Sequence, residues 1–261
     1  GYLYMENYTE CIAEVKKAEQ QGIQLLNMVN NLDVIANGNL YTPIAYTNPE
    51  VEWLFGPCAV ANHWEYQPAT APDFRALWDQ ENDQRFLANC FKSQDESNTV
   101  YMQKPNGSSQ LGQSIRSAEA FLNRMEAYAL SGEEGLALSE LNDFRKTRIV
   151  GYSDVNLSGQ ALLDEIRLER RKELCFEGHR WFDLRRYSVC SQLPFRKQIV
   201  HPFHTYNDDG GYTGTRVFVL KENETNVWTF LIPETTIDFD RIPMENNERD
   251  SREPLNENDN N

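Results

Sequence analysis

The stretch that most restricts how this chain can fold runs from Leu163 to Tyr187. It places six acids and seven bases in 25 positions, with Phe176, Trp181 and Phe182 among them. Leu162, Leu163, Ile166 and Leu174 recur at helical steps, so the segment reads as a helix over roughly 160–187 with one face turned to a core. Gly178 kinks or interrupts it. The charges on such a helix have three uses. Paired acids such as Glu173 and Glu177 could serve a glycosidic bond. They sit four apart on one face with Arg170 and Arg180 at hand, and ionised, salt-bridged carboxylates make poor general acids. A metal could be held, but Glu177 and His179 point to different faces and no H-E-x-x-H is present. His63, His201 and His204 are dispersed. The third use is an internal lattice in which Arg forks grip carboxylates and tie the helix to its neighbours. That reading is the strongest, so we expect no catalytic residue, no metal and no cofactor.

The rest of the chain supplies the partners. Residues 3–30 carry apolar positions at steps of three and four and read as one amphipathic helix, with Gly22 as a weak point. Residues 31–113 are rich in Asn, Pro, Gly and Gln and lack clear periodicity; short helices are expected at 50–55 and 72–90. Long irregular segments in compact domains usually bind something. Over 114–149, two helices meet at Ser131-Gly132. The second opens on Glu133 and Glu134 and closes on Arg145, Lys146 and Arg148, as the helix dipole prefers. This is a TPR-like helical hairpin. Alternation at 216–220 and 227–232, with a turn at Asp208–Gly211, predicts a β element over 198–232. The expected fold is mainly α, with TPR-like hairpins, irregular loops and a small β-hairpin element over residues 1–245. An acidic, solvated tail over 246–261 follows.

Charge excludes one class of partner. The 40 Asp and Glu outnumber 25 Lys and Arg, for a net charge of −15. Nucleic-acid binding wants the opposite sign, so no nucleic acid is expected. Five cysteines at 11, 58, 90, 175 and 190 form no C-x-x-C pair and dictate no disulfide framework. The opening Gly-Tyr-Leu-Tyr-Met-Glu has no basic region followed by an apolar one, and reads as a cut rather than a natural start.

Three stretches carry a family resemblance. Glu169-Arg170-Arg171-Lys172-Glu173-Leu174, then Phe176-Glu177-Gly178-His179-Arg180-Trp181-Phe182-Asp183-Leu184-Arg185-Arg186, is similar to the signature near the C-terminus of the SusD/RagB family. Ala118–Ala129, followed by Leu141-Asn142 and Arg145, resembles that family's A-E-x-x-L-x-R-A-E-A-Y stretch. Phe230–Ile237 resembles its late P-I-P-x-x-E-I stretch. The usual Q-N-P-G-Y near the end is replaced by Met244–Arg249. The resemblance implies a mainly helical, non-catalytic nutrient-binding lipoprotein on the outer face of the outer membrane in Bacteroidetes-type bacteria. Its implied partners are an oligosaccharide, or in some branches a peptide, and a SusC-like TonB-dependent transporter. Membrane attachment would run only through a lipid anchor upstream of this sequence. The signature implies structural roles for Glu169, Arg170, Arg171, Glu173, Phe176, Glu177, Gly178, Arg180, Trp181, Phe182, Asp183 and Arg186. A TPR-type interaction scaffold remains the alternative without a small ligand.

Sugar recognition wants exposed aromatic faces flanked by planar amides and carboxylates. Asn62-His63-Trp64-Glu65-Tyr66-Gln67 has that composition, making His63, Trp64, Tyr66 and Gln67 the first candidates; the alternative is that Trp64 and Tyr66 plug the core. Tyr206 and Tyr212, flanking the hairpin tip, come second. Trp53 and Trp78 read as core helix residues, and Trp181 as packed.

Overall fold

Four helices, each bounded where the sequence stops supplying apolar steps, build the larger part of the molecule. The computed structural model describes residues 1–31, 48–55, 70–92, 100–102, 113–239, 243–249 and 254–256. They form two compact units, Gly1–Arg180 and Trp181–Asn261.

In the first unit, α1 (Tyr8–Gln20) is capped by Asn7, whose side chain accepts from the Glu10 amide at 3.3 Å. It buries Tyr8, Cys11, Ile12 and Val15. The helix expected over 3–30 is thus shorter. A 3-10 turn, Tyr2–Met5, precedes it, and the chain leaves it through Gly22 at φ +103°. Two short helices follow, α2 (Pro72–Arg75) and α3 (Gln84–Asn89). Then come α4 (Ser117–Leu130), α5 (Glu134–Lys146) and α6 (Gly159–Glu173). α4 is the hub. It packs on α1, α5 and α6, so Ala118, Phe121, Leu122, Met125, Ala127, Tyr128 and Leu130 are all buried. A helix apolar on several faces must be surrounded in this way. Gly132, at φ +85°, makes the joint between α4 and α5, and the expected hairpin is present.

Two antiparallel pairs complete this unit: β1 (Val51–Phe55) with β4 (Gln113–Arg116), and β2 (Cys90–Lys92) with β3 (Val100–Met102). The helix expected at 50–55 is therefore a strand. Its pairing partner lies some sixty residues on, and tertiary pairing decides such short apolar runs.

The long charged helix is broken. α6 ends at Glu173, and α7 (His179–Ser188) begins after a turn that holds Phe176 at φ +60° and Gly178 at φ +84°. Gly178 adopts that conformation at no steric cost, whereas Phe176 is strained by it.

In the second unit β5 (Ile199–Tyr206), β6 (Tyr212–Leu220) and β7 (Leu255–Asn256) form one antiparallel sheet in the order β5-β6-β7. A core of Leu184, Tyr187, Leu220 and Trp228 lies within this unit, flanked by Trp181, Ile199 and Val227. The expected strand at 227–232 is instead a 3-10 turn, Asn226–Trp228, followed by extended chain. α8 (Glu234–Phe239) comes after it. The tail expected from 246 is not free at its start. Asn246 pairs with Ile232 through both its amide oxygen, 2.6 Å from the Ile232 nitrogen, and its amide nitrogen, 3.0 Å from the Ile232 oxygen. Asn226 donates to the Glu248 carbonyl at 2.7 Å, and Leu255 and Asn256 join the sheet. No helix among the described residues is long and apolar enough to cross a membrane.

Candidate functional site

The signature on α6 sits inside the first unit as a buried ion-pair lattice. Glu173 is fully buried. Its Oε1 lies 3.1 Å from Arg116 Nη1, and its Oε2 lies 3.1 Å from both Arg85 Nη1 and Arg148 Nε. Glu50, also fully buried, binds Arg148 Nη2 at 2.6 Å and Arg116 Nη1 at 2.7 Å. Arg116 reaches Glu177 with two nitrogens at 2.8 Å each, the paired geometry that a planar guanidinium favours. One turn away, Glu169 binds Arg85 at 2.6 Å, Arg145 at 2.7 Å and Lys172 at 3.3 Å. Burial pushes the Glu169 carboxyl upward, but Arg85, Lys172 and Arg145 more than reverse this and hold it well below the usual carboxylate range. Carboxylates held this way stay ionised and are poorly suited to giving up a proton.

Several of the other signature residues have packing and pairing roles, and Phe182, expected to be structural, instead faces solvent. Arg170 donates to the Asn123 side chain at 2.7 Å. Arg171 lies over the Phe74 ring, 4.9 Å from its centroid, and Phe176 meets the same ring edge-on. Arg180 is half-buried at the end of the first unit. Asp183 pairs with Arg186 at 3.3 Å. Trp181 donates its indole N–H to the Trp228 carbonyl at 3.1 Å and stacks on Phe230.

The lattice also positions a surface. Glu50 stands at the start of β1. Its carbonyl accepts from the Ser117 amide at 2.8 Å, and its side chain accepts from the Leu26 amide at 2.9 Å. The strand is therefore fixed at its base. A bulge then shifts the register between Val51 and Trp53, so that Glu52 and Trp53 both face outward. Ser117 holds the Glu52 carboxylate at 2.6 Å. Trp53 is 64% exposed, opposite exposed Ile115 on β4. This corrects the expectation of a core helix residue, whereas Trp78 is buried beside Phe74 as expected.

In the second unit the candidates Tyr206 and Tyr212 sit at the hairpin tip, 61% and 58% exposed. Their ring centroids are 6.0 Å apart and nearly perpendicular, and His204 lies 6.0 Å from Tyr212. Thr215 Oγ1 holds the Tyr212 hydroxyl at 2.6 Å and His204 Nδ1 at 2.8 Å. The turn itself is closed by Asn207, whose side chain accepts from the Gly211 amide at 2.6 Å. Toward the other end of the same hairpin is a cavity of about 360 Å³, lined by Trp181, Ile199, His201, Phe218, Leu220, Val227 and Arg249. Its walls are apolar, and the polar groups on it are His201 and Arg249.

His63, Trp64, Tyr66 and Gln67 lie outside the described residues. Sequence reading placed Trp53 in the core and Arg148 at a helix end, gave neither a part in the site or the lattice, and did not single out Glu50, Arg85, Arg116 or the cavity. Among the described residues no three His, Cys, Asp or Glu side chains are grouped so as to hold a metal ion.

A helical-hairpin scaffold locked by buried Arg–Glu pairs, with a small appended sheet, defines the class of this molecule. The model of the SusD family matches residues 3–260, and the chain belongs to that family. It is similar in fold to a SusD-like carbohydrate binding protein from Bacteroides vulgatus: 23% identity, TM-score 0.54, covering 84% of this chain and 48% of that one. It is similar also to surface glycan-binding protein A from Bacteroides uniformis, with 17% identity, TM-score 0.60, and 94% and 58% of the two chains covered. A third is surface glycan-binding protein A from Bacteroides thetaiotaomicron in complex with laminarihexaose, with 16% identity, TM-score 0.50, and 91% and 59% covered. The chain spans roughly half to three fifths of the length of these solved relatives. No curated protein matches it.

Proposed function

We propose that the protein containing this chain binds oligosaccharides at the bacterial cell surface without turning them over, and passes them to a SusC-like TonB-dependent transporter in the outer membrane. The observation that carries this reading is the SusD-family match across nearly the whole chain. Solved proteins of similar fold are described as glycan-binding, one of them with a bound laminarihexaose, which supports the ligand class. The acids of the signature support binding without catalysis, since they are spent on Arg and Lys partners. A lipid anchor on sequence upstream of this chain would hold the protein at the outer face.

The ligand contacts we propose are exposed ring faces, taken unit by unit: Trp53 in the first unit, and Tyr206 and Tyr212 in the second. Trp64 and Tyr66, flanked by His63 and Gln67, remain candidates on composition. Such rings stack on pyranoses through apolar contact. Affinity electrophoresis against a panel of neutral and acidic polysaccharides tests the reading. Retardation with no released reducing sugar is the expected result. Released sugar that disappears on mutating one carboxylate would mean an enzyme. Retardation by no glycan, with capture of peptides instead, would mean a peptide binder.

A further inference from the structure

We propose that the cavity in the second unit is a subsite for an anionic sugar, a pyranose bearing a carboxylate of the uronic-acid type; this rests on the glycan-binding reading above. The register places the cavity on one face of the hairpin. Ile199 stands directly opposite Leu220 and His201 opposite Phe218, and Trp181, Val227 and Arg249 complete the lining. At about 360 Å³ the cavity falls in the range that encloses a small ligand. Phe218 and the indole of Trp181, itself braced by Phe230 at 5.7 Å, offer apolar surface for a ring.

Charge selects among sugars. In a chain of net charge −15, neither β5 nor β6 contains a single Asp or Glu, while β6 carries Arg216. Arg216 extends the cavity face by one more pair, opposite Phe203. Arg249 is oriented by donating Nη2 to the carbonyls of Val227 and Thr229. Its Nε and Nη1 have no hydrogen-bond partner among the described residues. A guanidinium steered by carbonyls and left with donors at the rim of an apolar slot is matched by a carboxylate. A neutral hexose would use the same walls and leave that charge unanswered.

The test is isothermal titration of the protein with a short galacturonate oligomer and with the same oligomer fully methyl-esterified, which removes the charge and keeps the backbone. The acid should bind about tenfold or more tightly than the ester, as one charge-assisted hydrogen bond requires. Its affinity should fall as salt is raised. Arg249→Gln should erase most of the difference between acid and ester. Because Arg249 also holds two carbonyls, Arg216→Gln serves as a second variant at an exposed position, and should weaken the acid alone by a few-fold. Equal binding of acid and ester, or an acid affinity unmoved by both variants at normal melting temperature, overturns the subsite. If neutral glycans bind and the acid does not, the subsite falls while the glycan reading stands. If no glycan of the panel binds, both fall.

Discussion

Replacing Glu173 with alanine removes the carboxylate that three guanidiniums share. The side chain is fully buried, with Arg85, Arg116 and Arg148 each 3.1 Å away. Removing one member of a buried ion pair costs about 3–5 kcal/mol, because the partner charge stays in the interior. Here the orphaned cations keep other partners: Glu50 still holds Arg116 and Arg148, and Asp83 still holds Arg85. The loss should therefore fall near the lower end, about 3 kcal/mol. For a folding unit of this size, each kcal/mol moves the melting temperature by about 2–4 °C, so a drop of about 6–12 °C is expected. Glu173→Gln keeps the volume and one acceptor but not the charge, and should lose roughly half as much. Differential scanning calorimetry on the purified variants measures both. A Glu173→Ala protein that melts within about 2 °C of the wild type, or one of normal stability that fails only to bind glycan, would refute the structural reading.

Three further outcomes follow from the geometry. The lowered Glu169 pKa means that this group stabilises the fold fully above the ordinary carboxylate range and loses that contribution as pH falls through the folded pKa. Acid denaturation should steepen below about pH 4, and Glu169→Gln should flatten that limb; stability that rises on acidification would contradict it. Trp53→Ala should weaken glycan binding by about 1–3 kcal/mol with little change in melting temperature, because the ring is mostly in water. Unaltered affinity for a glycan that the wild type retains would remove Trp53 from the site. Asn246→Ala should release the segment at 226–232, at a cost of about 1–2 kcal/mol. Hydrogen exchange at the Ile232 amide reads this directly, and unchanged protection there would show that the tail does not pin it.

What the sequence shows and hides follows from distance along the chain. The apolar steps of α4, α5 and α6, the joint at Gly132 and the break near Gly178 are local features, and all were legible. The lattice was legible only as a role. Arg170 and Arg180, on the same charged stretch, suggested the partners of Glu173 and Glu177, yet the guanidiniums found within 3.1 Å of Glu173 come from positions 85, 116 and 148. Nothing in a one-dimensional pattern ranks contacts of that separation. Trp53 was misplaced because a five-residue segment, Val51–Phe55, has no decisive period, and because a bulge turned two successive side chains the same way. The tail looked solvated by composition, but its first residues, Asn246 and Glu248, are tied by hydrogen bonds to Ile232 and Asn226, which hydropathy does not weigh. Phe176 at positive φ is likewise imposed by tertiary structure, whereas Gly178 announces itself.

The sheet in the second unit has two sides open to further pairing, and each carries a different partial guard. A row of unpaired N–H and C=O groups invites the strands of other molecules. Along the middle of β6, Leu255 and Asn256 pair with Val217 and Arg216. Along β5, Pro202 sits in mid-strand and has no N–H to offer. Copies of an unguarded hairpin could otherwise pair with one another into ribbons. Cutting the chain after Arg249 would bare the β6 edge while leaving Pro202 on β5, so growth would be one-sided and the expected product an edge-to-edge pair of hairpins rather than a fibre.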